Sequence, residues 1–351
     1  MARFEDWLFE PKPGLLGEIA RLPFSAISAL YLPAIKLRTF AYQKNILKSQ
    51  ELPIPVVSVG NLTVGGSGKT PTAIWLAQKL AQKGFQPAIS IRGYHSRAED
   101  SLAVIDGKNP EAVDPDLVGD EAALMAKKLK GIPILVGKNR VASGQKAAEL
   151  GANILVLDDG FQHLKLKRNV NILLIDGNKL LNCEKIFPRG RLREPVSAIA
   201  RGQVIISRGD ENFEGNREQI NEINPGAKIF RMRYLVKNPE RFAGKKAYAF
   251  AGIAQPGSFF ALAKDAGMEL VGKKEFSDHH IYVPGELKQV RAEAKSSGAE
   301  IILTTEKDLA RIKSFESKLP ILALEIELDF FGTENALLEE VVRLSKEKPK
   351  C

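Results

Sequence analysis

A glycine-rich turn at residues 62–68 leads directly into Lys69 and Thr70. A short apolar run precedes the turn at 56–59, and a helical pattern follows it. The backbone N–H groups of such a loop, with the positive end of the next helix, can surround the phosphates of a nucleoside triphosphate. Lys69 would then reach the β- and γ-phosphates, and the Thr70 hydroxyl would bind Mg²⁺. The alternative is an ordinary strand-to-helix turn.

The match to the P-loop pattern G-x-x-x-x-G-K-[ST] is imperfect, because Thr63 occupies the first glycine position. The strand before the loop and the helix after it supply the context that the motif requires. The nucleotide-binding residues predicted from this loop are Thr63, Val64, Gly65, Gly66, Ser67, Gly68, Lys69 and Thr70.

A pair of acids, Asp158 and Asp159, ends the apolar run at 154–157. Open α/β sheets place their sites at the carboxyl ends of strands, and a carboxylate there can hold Mg²⁺ directly or through water. Two adjacent acids repel each other, so we expect a cation beside them. A helix N-cap or a turn is the alternative interpretation of Asp-Asp-Gly.

A second acidic pair, Asp120 and Glu121, begins a predicted helix. The helix dipole favours acids in the first turn whatever the function, so this pair alone indicates only structure.

Basic and histidine-containing stretches supply further candidates. Arg92 and Tyr94 follow a strand, and the stretch 187–195 carries three arginines that could bind anions or simply be solvated. Asp278 precedes His279 and His280, an arrangement that suits an oriented imidazole or a surface turn.

Two classes of P-loop protein are excluded by single residues. The segment 303–308 invites comparison with the guanine-reading (N/T)-K-x-D motif of GTPases, but Glu306 stands where the lysine belongs. The MinD-like ATPases carry a signature lysine where this chain has Val64. Neither a switch GTPase nor a dimeric partitioning ATPase is therefore expected.

The apolar runs alternate with helical patterns in a way that predicts a P-loop NTPase-like, doubly wound parallel α/β domain. A polar helix and turn at 211–226 precede a second, smaller α/β block, in which 229–235 and 322–330 are predicted to pair as connector strands. The predicted organisation is an N-terminal membrane-interface helical segment (1–40), a kinase domain (41–227) and a second α/β domain (228–351).

Composition limits the class of protein. The chain has 351 residues, 44% of them hydrophobic and 26% charged, which suits two folded cores. Its two cysteines, Cys183 and Cys351, suggest neither a disulfide framework nor a zinc site. A net charge of +9 predicts attraction to an anionic partner without choosing among nucleic acid, phosphorylated substrate and acidic lipid.

The segment 22–35 carries no charge and is flanked by Arg21, Lys36 and Arg38. Its fourteen residues are fewer than the about 20 that cross a bilayer. It could lie in a membrane interface, with Phe24 and Tyr31 in the lipid and the basic flanks on headgroups. Packing on the protein's own core is the equally weighted alternative.

Seven motifs follow one another over nearly the full length: GNLTVGGSGKTP, RGY, GDE, DDGFQH, LREP, SDHH and TEKD. In this order they resemble the tetraacyldisaccharide 4′-kinase family, the lipid A 4′-kinases of Gram-negative bacteria. The resemblance implies a two-domain P-loop kinase on the cytoplasmic face of the inner membrane. Such a kinase transfers the ATP γ-phosphoryl group to the 4′-hydroxyl of a tetraacylated glucosamine disaccharide 1-phosphate.

The resemblance also implies residue roles. Asp120 would be the general base, paired with His279 or its neighbour His280 after domain closure, and Lys69 would serve catalysis. Mg²⁺ would be held by Thr70, Glu121, Asp158 and Asp159. Substrate or phosphate contacts would come from Arg92, Tyr94, His163 and Arg193.

The expected ligands are ATP, Mg²⁺, the acylated disaccharide and an anionic membrane surface, with neither nucleic acid nor an obligate protein partner. A soluble kinase of a small metabolite and a nucleotide-dependent membrane adaptor are the alternatives. Substrate-dependent ADP release separates these three functions.

Overall fold

The computed structural model describes residues 14–94, 96–109, 112–181, 184–312 and 318–349. The chain forms two compact units. Unit 1 comprises the chain up to Met232 together with the segment from Phe330 onward, and unit 2 comprises Arg233–Asp329.

Two helices open the described part of unit 1, α1 (Leu15–Ala20) and α2 (Leu22–Gln43). Pro23 lies in the first turn of α2, where its missing N–H costs no hydrogen bond. The uncharged segment 22–35 therefore continues into a longer, more polar helix. Among the described helices, none is long and apolar enough to cross a membrane.

Parallel pairing dominates the sheet of unit 1. Its strands are β1 (Val56–Asn61), β2 (Pro87–Ile91), β3 (Ala103–Ile105), β4 (Ile134–Val136), β5 (Ile154–Asp158), β6 (Val170–Asp176), β7 (Val204–Arg208) and β8 (Lys228–Val236), which continues into unit 2. Their order is β3-β4-β2-β5-β1-β6-β7-β8, and only the edge strand β3 runs antiparallel to its neighbour. All residues of β1, β2, β4 and β5 are buried, so both faces of the sheet are covered.

Helices connect these strands in the manner of a doubly wound domain. They are α3 (Lys69–Gln82), α4 (Pro115–Val118), α5 (Asp120–Lys128), α6 (Arg140–Glu149) and α7 (Phe213–Ile223). Because α3 directly follows β1 and the sheet is parallel, the ends of β1, β5, β6 and β7 share one edge. This edge carries the candidate site.

Unit 2 contains a smaller parallel sheet of order β10-β9-β11-β12. Its elements are β9 (Lys246–Ala251), α8 (Pro256–Asp265), β10 (Glu269–Glu275), α9 (Pro284–Ser296), β11 (Ile301–Thr305), α10 (Glu306–Arg311), β12 (Ile321–Leu324) and β13 (Ile326–Asp329). The strand β13 pairs antiparallel with the second half of β8, from Ile326 opposite Val236 to Asp329 opposite Arg233. The predicted pairing of the two connector segments is thus confirmed.

The C-terminal helix α11 (Glu334–Ser345) belongs to unit 1. Its apolar stripe, including Leu337 and Val341, is buried, and Trp75 of α3 donates a hydrogen bond to Glu334 at 3.0 Å. The sequence placed this segment with the second domain. The difference arises because an amphipathic stripe specifies that a helix is covered, but not which unit covers it.

Candidate active site

The loop between β1 and α3 has the backbone that its glycines allow. Gly65 and Gly68 adopt positive φ angles of 102° and 89°, which side chains rarely tolerate. Gly68 immediately precedes the first residue of α3, so the N–H groups of that helix end face the loop. This is the geometry of an anion-binding helix N-terminus.

Lys69 points back over this loop. Its Nζ donates to the Asn61 side chain at 3.3 Å and to the Gly65 carbonyl at 3.5 Å, and lies 3.8 Å from Asp159 Oδ1. Burial lowers the pKa of Lys69, and the Asp159 carboxylate only partly opposes that shift. The loop therefore holds a largely buried cation that a phosphate group can neutralise.

Asp158 and Thr70 are joined directly, since the Thr70 hydroxyl donates to Asp158 Oδ2 at 2.8 Å. Asp158 is buried, and its Oδ1 accepts no hydrogen bond from the described residues. Burial, reinforced by the charges of Glu121 and Asp159, raises the pKa of Asp158 to about 7. A buried carboxylate with a free oxygen beside a hydroxyl is a fitting partner for a divalent cation.

Asp159 has a different environment from its neighbour. One Arg193 nitrogen, Nη1, lies 2.9 and 3.0 Å from its two carboxylate oxygens. Burial acts to raise the pKa of Asp159, but Lys69 and Arg193 outweigh it and hold the pKa below its ordinary value. The cation expected beside the two acids is thus present within unit 1.

The segment that carries Arg193 pairs with the P-loop itself. Val64 donates its N–H to the Arg191 carbonyl at 2.8 Å, and Arg193 donates its N–H to the Leu62 carbonyl at 2.7 Å. These arginines were predicted from the sequence as candidate anion contacts, but their pairing with the P-loop was not. The only available signal was their clustering after an apolar strand.

Asp120 and Glu121 form the first turn of α5, directly after Gly119. Gly119 has a φ of 89°, and a Cβ built on it would lie 3.5 Å from the Ser96 Cβ and 3.9 Å from the Tyr94 carbonyl oxygen. The loop after β2 therefore packs at the start of α5. Because the charge of Glu121 acts on both Asp158 and Lys69, the structure brings this acid toward the P-loop.

The side chains of Arg92 and Tyr94 lie on the solvent side of that loop. Arg92 pairs with Glu99 at 2.7 Å, and its guanidinium carbon lies 5.4 Å from the centroid of the Tyr94 ring. Both residues are exposed. Their substrate role stays a prediction.

His163 is uncharged at neutral pH. Burial, with the charges of Arg140 and Arg168, lowers the pKa of His163 to about 4. Its buried Nε2 has no hydrogen-bond partner among the described residues. A neutral imidazole can donate or accept a hydrogen bond to substrate, but it supplies no positive charge.

Arg140 was not identified from the sequence. It is buried in α6 and donates to the Ser90 hydroxyl at 3.1 Å and to the Asp158 carbonyl at 2.8 Å. Burial lowers its pKa to about 10, so it remains protonated near neutral pH. Arg140 thereby fixes the end of β5 from which both acids project.

Unit 2 holds the histidine pair. His279 has a φ of 57°, and its ring nitrogens lie 3.1 Å from Lys307 and 3.1 Å from Arg311. His280 instead contacts Glu286 at 2.8 Å. Asp120 belongs to unit 1, so its pairing with either histidine stays a prediction.

Among the described residues, no group of three or more His, Cys, Asp and Glu side chains is arranged as a metal site. A P-loop magnesium site does not need one, because hydroxyl, water and phosphate oxygens complete its coordination. Thr70 and Asp158, with Glu121 and Asp159 nearby, fit that requirement.

The fold and this site define a P-loop NTPase-like α/β protein, as predicted. A family model described as Tetraacyldisaccharide-1-P 4′-kinase matches residues 20–345. The chain belongs to this family, which confirms the family predicted from the motifs.

Individual relatives agree with the family assignment. The tetraacyldisaccharide 4′-kinase of Desulfotalea psychrophila is 34% identical over 309 residues, covering 84% of this chain and 89% of the relative. That of Desulfatibacillum aliphaticivorans is 35% identical over 339 residues, covering 90% of each. The crystal structure of an "apo" form of LpxK from Aquifex aeolicus in complex with ATP is 30% identical, with a TM-score of 0.71 and coverage of 93% of this chain and 98% of that one.

Proposed function

We propose that this protein transfers the γ-phosphoryl group of ATP to the 4′-hydroxyl of a tetraacylated glucosamine disaccharide 1-phosphate at a membrane surface. Family membership supports the reaction. The observation that carries it in this chain is the cluster of Lys69, Thr70, Asp158, Asp159 and Arg193 at the P-loop.

Phosphoryl transfer depends mainly on positioning and on neutralising charge. Lys69 and the backbone N–H groups at 63–70 hold the triphosphate, and Arg193 adds a second positive charge beside Asp159. Thr70, Asp158, Asp159 and Glu121 would hold Mg²⁺, which would neutralise the developing charge on the phosphates. Asp120, at the start of α5, takes the proton from the attacking hydroxyl.

The proposed acceptor, a lipid with four acyl chains, requires the protein to act at the surface of a bilayer. Each buried CH₂ of an acyl chain is worth about 0.8 kcal/mol, so a lipid with four chains stays in its membrane. The enzyme therefore has to reach the lipid. We assign this task to α2 on the cytoplasmic face of the inner membrane.

The helix α2 has two different sides. Polar groups fix one side to the protein: Ser28 donates to the Ile186 carbonyl at 2.9 Å, Arg38 to the Gln162 carbonyl at 3.0 Å, and Tyr31 to the Arg193 carbonyl at 3.4 Å. Tyr31 thus faces the protein, contrary to its expected place in the lipid.

The other side of α2 is apolar and exposed. Its large exposed side chains are Leu22, Ile27, Leu30, Leu37 and Phe40. A contiguous apolar face of this kind is typical of an interaction surface, and its basic neighbour Lys36 suits anionic headgroups. This arrangement supports the membrane-interface alternative over packing of the whole helix in the core.

The test follows labelled phosphate. Purified protein is incubated with [γ-³²P]ATP, Mg²⁺ and tetraacyldisaccharide 1-phosphate in detergent, beside an Asp120→Asn variant. We expect label in the lipid, and a fall of orders of magnitude in the variant. ATP hydrolysis without lipid labelling would contradict the proposed acceptor and leave an adaptor or a kinase of another substrate.

A further inference from the structure

The direction of the nucleotide along the site edge follows from the positions of the acids. The triphosphate lies at the end of β1, and Asp158 and Asp159 follow β5, the neighbour of β1 on one side. The γ-phosphoryl end must face these acids. The nucleoside must therefore extend the opposite way, past the ends of β6 and β7.

The loops after β6 and β7 form one bonded surface in that direction. Gly177 donates its N–H to the Arg208 carbonyl at 2.7 Å, and Asn178 Oδ1 accepts from the Asp210 N–H at 3.1 Å. A Cβ on Gly177 would lie 2.1 Å from the Gly209 carbonyl oxygen, so the loops touch where only glycine fits.

This surface is also tied to the P-loop. Arg208 Nη1 lies 3.4 Å from the Gly66 carbonyl oxygen. The segment Ser207–Arg208–Gly209–Asp210 therefore lies next to the phosphate site. Its residue types, a polar residue, a cation, any residue and an acid, follow the order of the (N/T)-K-x-D motif. The segment 303–308, compared above with the guanine-reading motif, lies instead in unit 2.

Asp210 has one oxygen occupied and one available. Arg231 contacts Oδ1 through both Nε at 2.9 Å and Nη2 at 2.7 Å, while Oδ2 accepts no hydrogen bond from the described residues. The Arg231 guanidinium carbon itself lies 5.0 Å from the centroid of the Phe213 ring and 4.8 Å from that of the Phe331 ring. Arg231 therefore holds the acid through one oxygen, and the other oxygen is left to accept a hydrogen bond from a ligand.

We propose that the loops after β6 and β7 form the nucleoside subsite, in which Asp210 accepts a hydrogen bond from the 6-amino group of adenine. One free acceptor matches the single amino group of adenine. Guanine presents two donors that call for both carboxylate oxygens, and the 6-oxo group of hypoxanthine would face a negative charge. This inference rests on the proposed use of ATP.

Nucleotide binding without lipid tests the subsite. Dissociation constants of the full-length protein for ATP and ITP are measured by competition with a fluorescent ATP analogue in the presence of Mg²⁺. In the wild type we expect ITP to bind about tenfold more weakly, the worth of one hydrogen bond. In Asp210→Asn the ITP/ATP ratio should fall about tenfold, since the amide can donate to the 6-oxo group.

Two further variants separate the outcomes. Glu214→Gln removes a nearby but more exposed acid that pairs with Arg217, and it should leave the ratio unchanged. Lys69→Ala should weaken both nucleotides alike. If ATP binds through Lys69 but the ratio is near one in the wild type, or does not move in Asp210→Asn, the subsite is wrong. If the wild type does not bind ATP, the proposed function fails instead.

Discussion

Replacing three exposed apolar residues of α2 with serine should detach the protein from membranes. Ile27, Leu30 and Leu37 are 52%, 77% and 68% exposed. Complete burial of such a side chain is worth about 2 kcal/mol, so these exposed fractions together represent about 4 kcal/mol. The partition constant should fall roughly a thousandfold.

The assay is co-sedimentation with vesicles of anionic phospholipid, beside a nucleotide-binding measurement. ATP affinity and the melting temperature should stay close to wild type, because exposed substitutions change stability little. The matched control replaces Leu117 and Leu150, which are 46% and 45% exposed elsewhere on unit 1. Unchanged sedimentation of the α2 variant, or equal loss in the control, would refute the assignment of α2 as the membrane contact.

Three other predictions concern unit 1. The pKa of Asp158 is raised to about 7, and its ionised form would hold Mg²⁺, so the affinity for MgATP should rise with pH up to about 7 and level off above. In a binding titration, the Asp158→Asn variant should lose this pH dependence. Arg193→Gln should lower kcat/KM about a hundredfold in the lipid-labelling assay, because it removes a preorganised positive charge. Leu337→Ala should lower the free energy of unfolding by about 3 kcal/mol, followed through tryptophan fluorescence in urea, while Leu150→Ala should change it by less than about 0.5 kcal/mol.

Local patterns made much of this molecule predictable. The P-loop could be identified because its strand, glycines and helix are consecutive in sequence. The confirmed pairing of β8 with β13 was also foreseeable, since each segment alternates and each borders the second block.

Contacts between distant, irregular segments could not be predicted in this way. The pairing of Val64 with Arg191 has no periodicity to reveal it, and the burial of Arg140 depends on Ser90 and Asp158 from two other elements. The assignment of α11 to unit 1 depended on which unit had an apolar surface that the helix could cover. In each case the deciding partner was far away in the chain.

The connection from α2 to the phosphate site has a geometric consequence. Tyr31 donates to the Arg193 carbonyl, and Arg193 in turn contacts Leu62 of the P-loop and the Asp159 carboxylate. If α2 rests in the headgroup layer, its depth sets the height of the triphosphate above the hydrocarbon surface. The acceptor hydroxyl is then selected by its height above the hydrocarbon surface as well as by its chemical surroundings. A lipid whose headgroup places the hydroxyl higher or lower would not align it with the γ-phosphate.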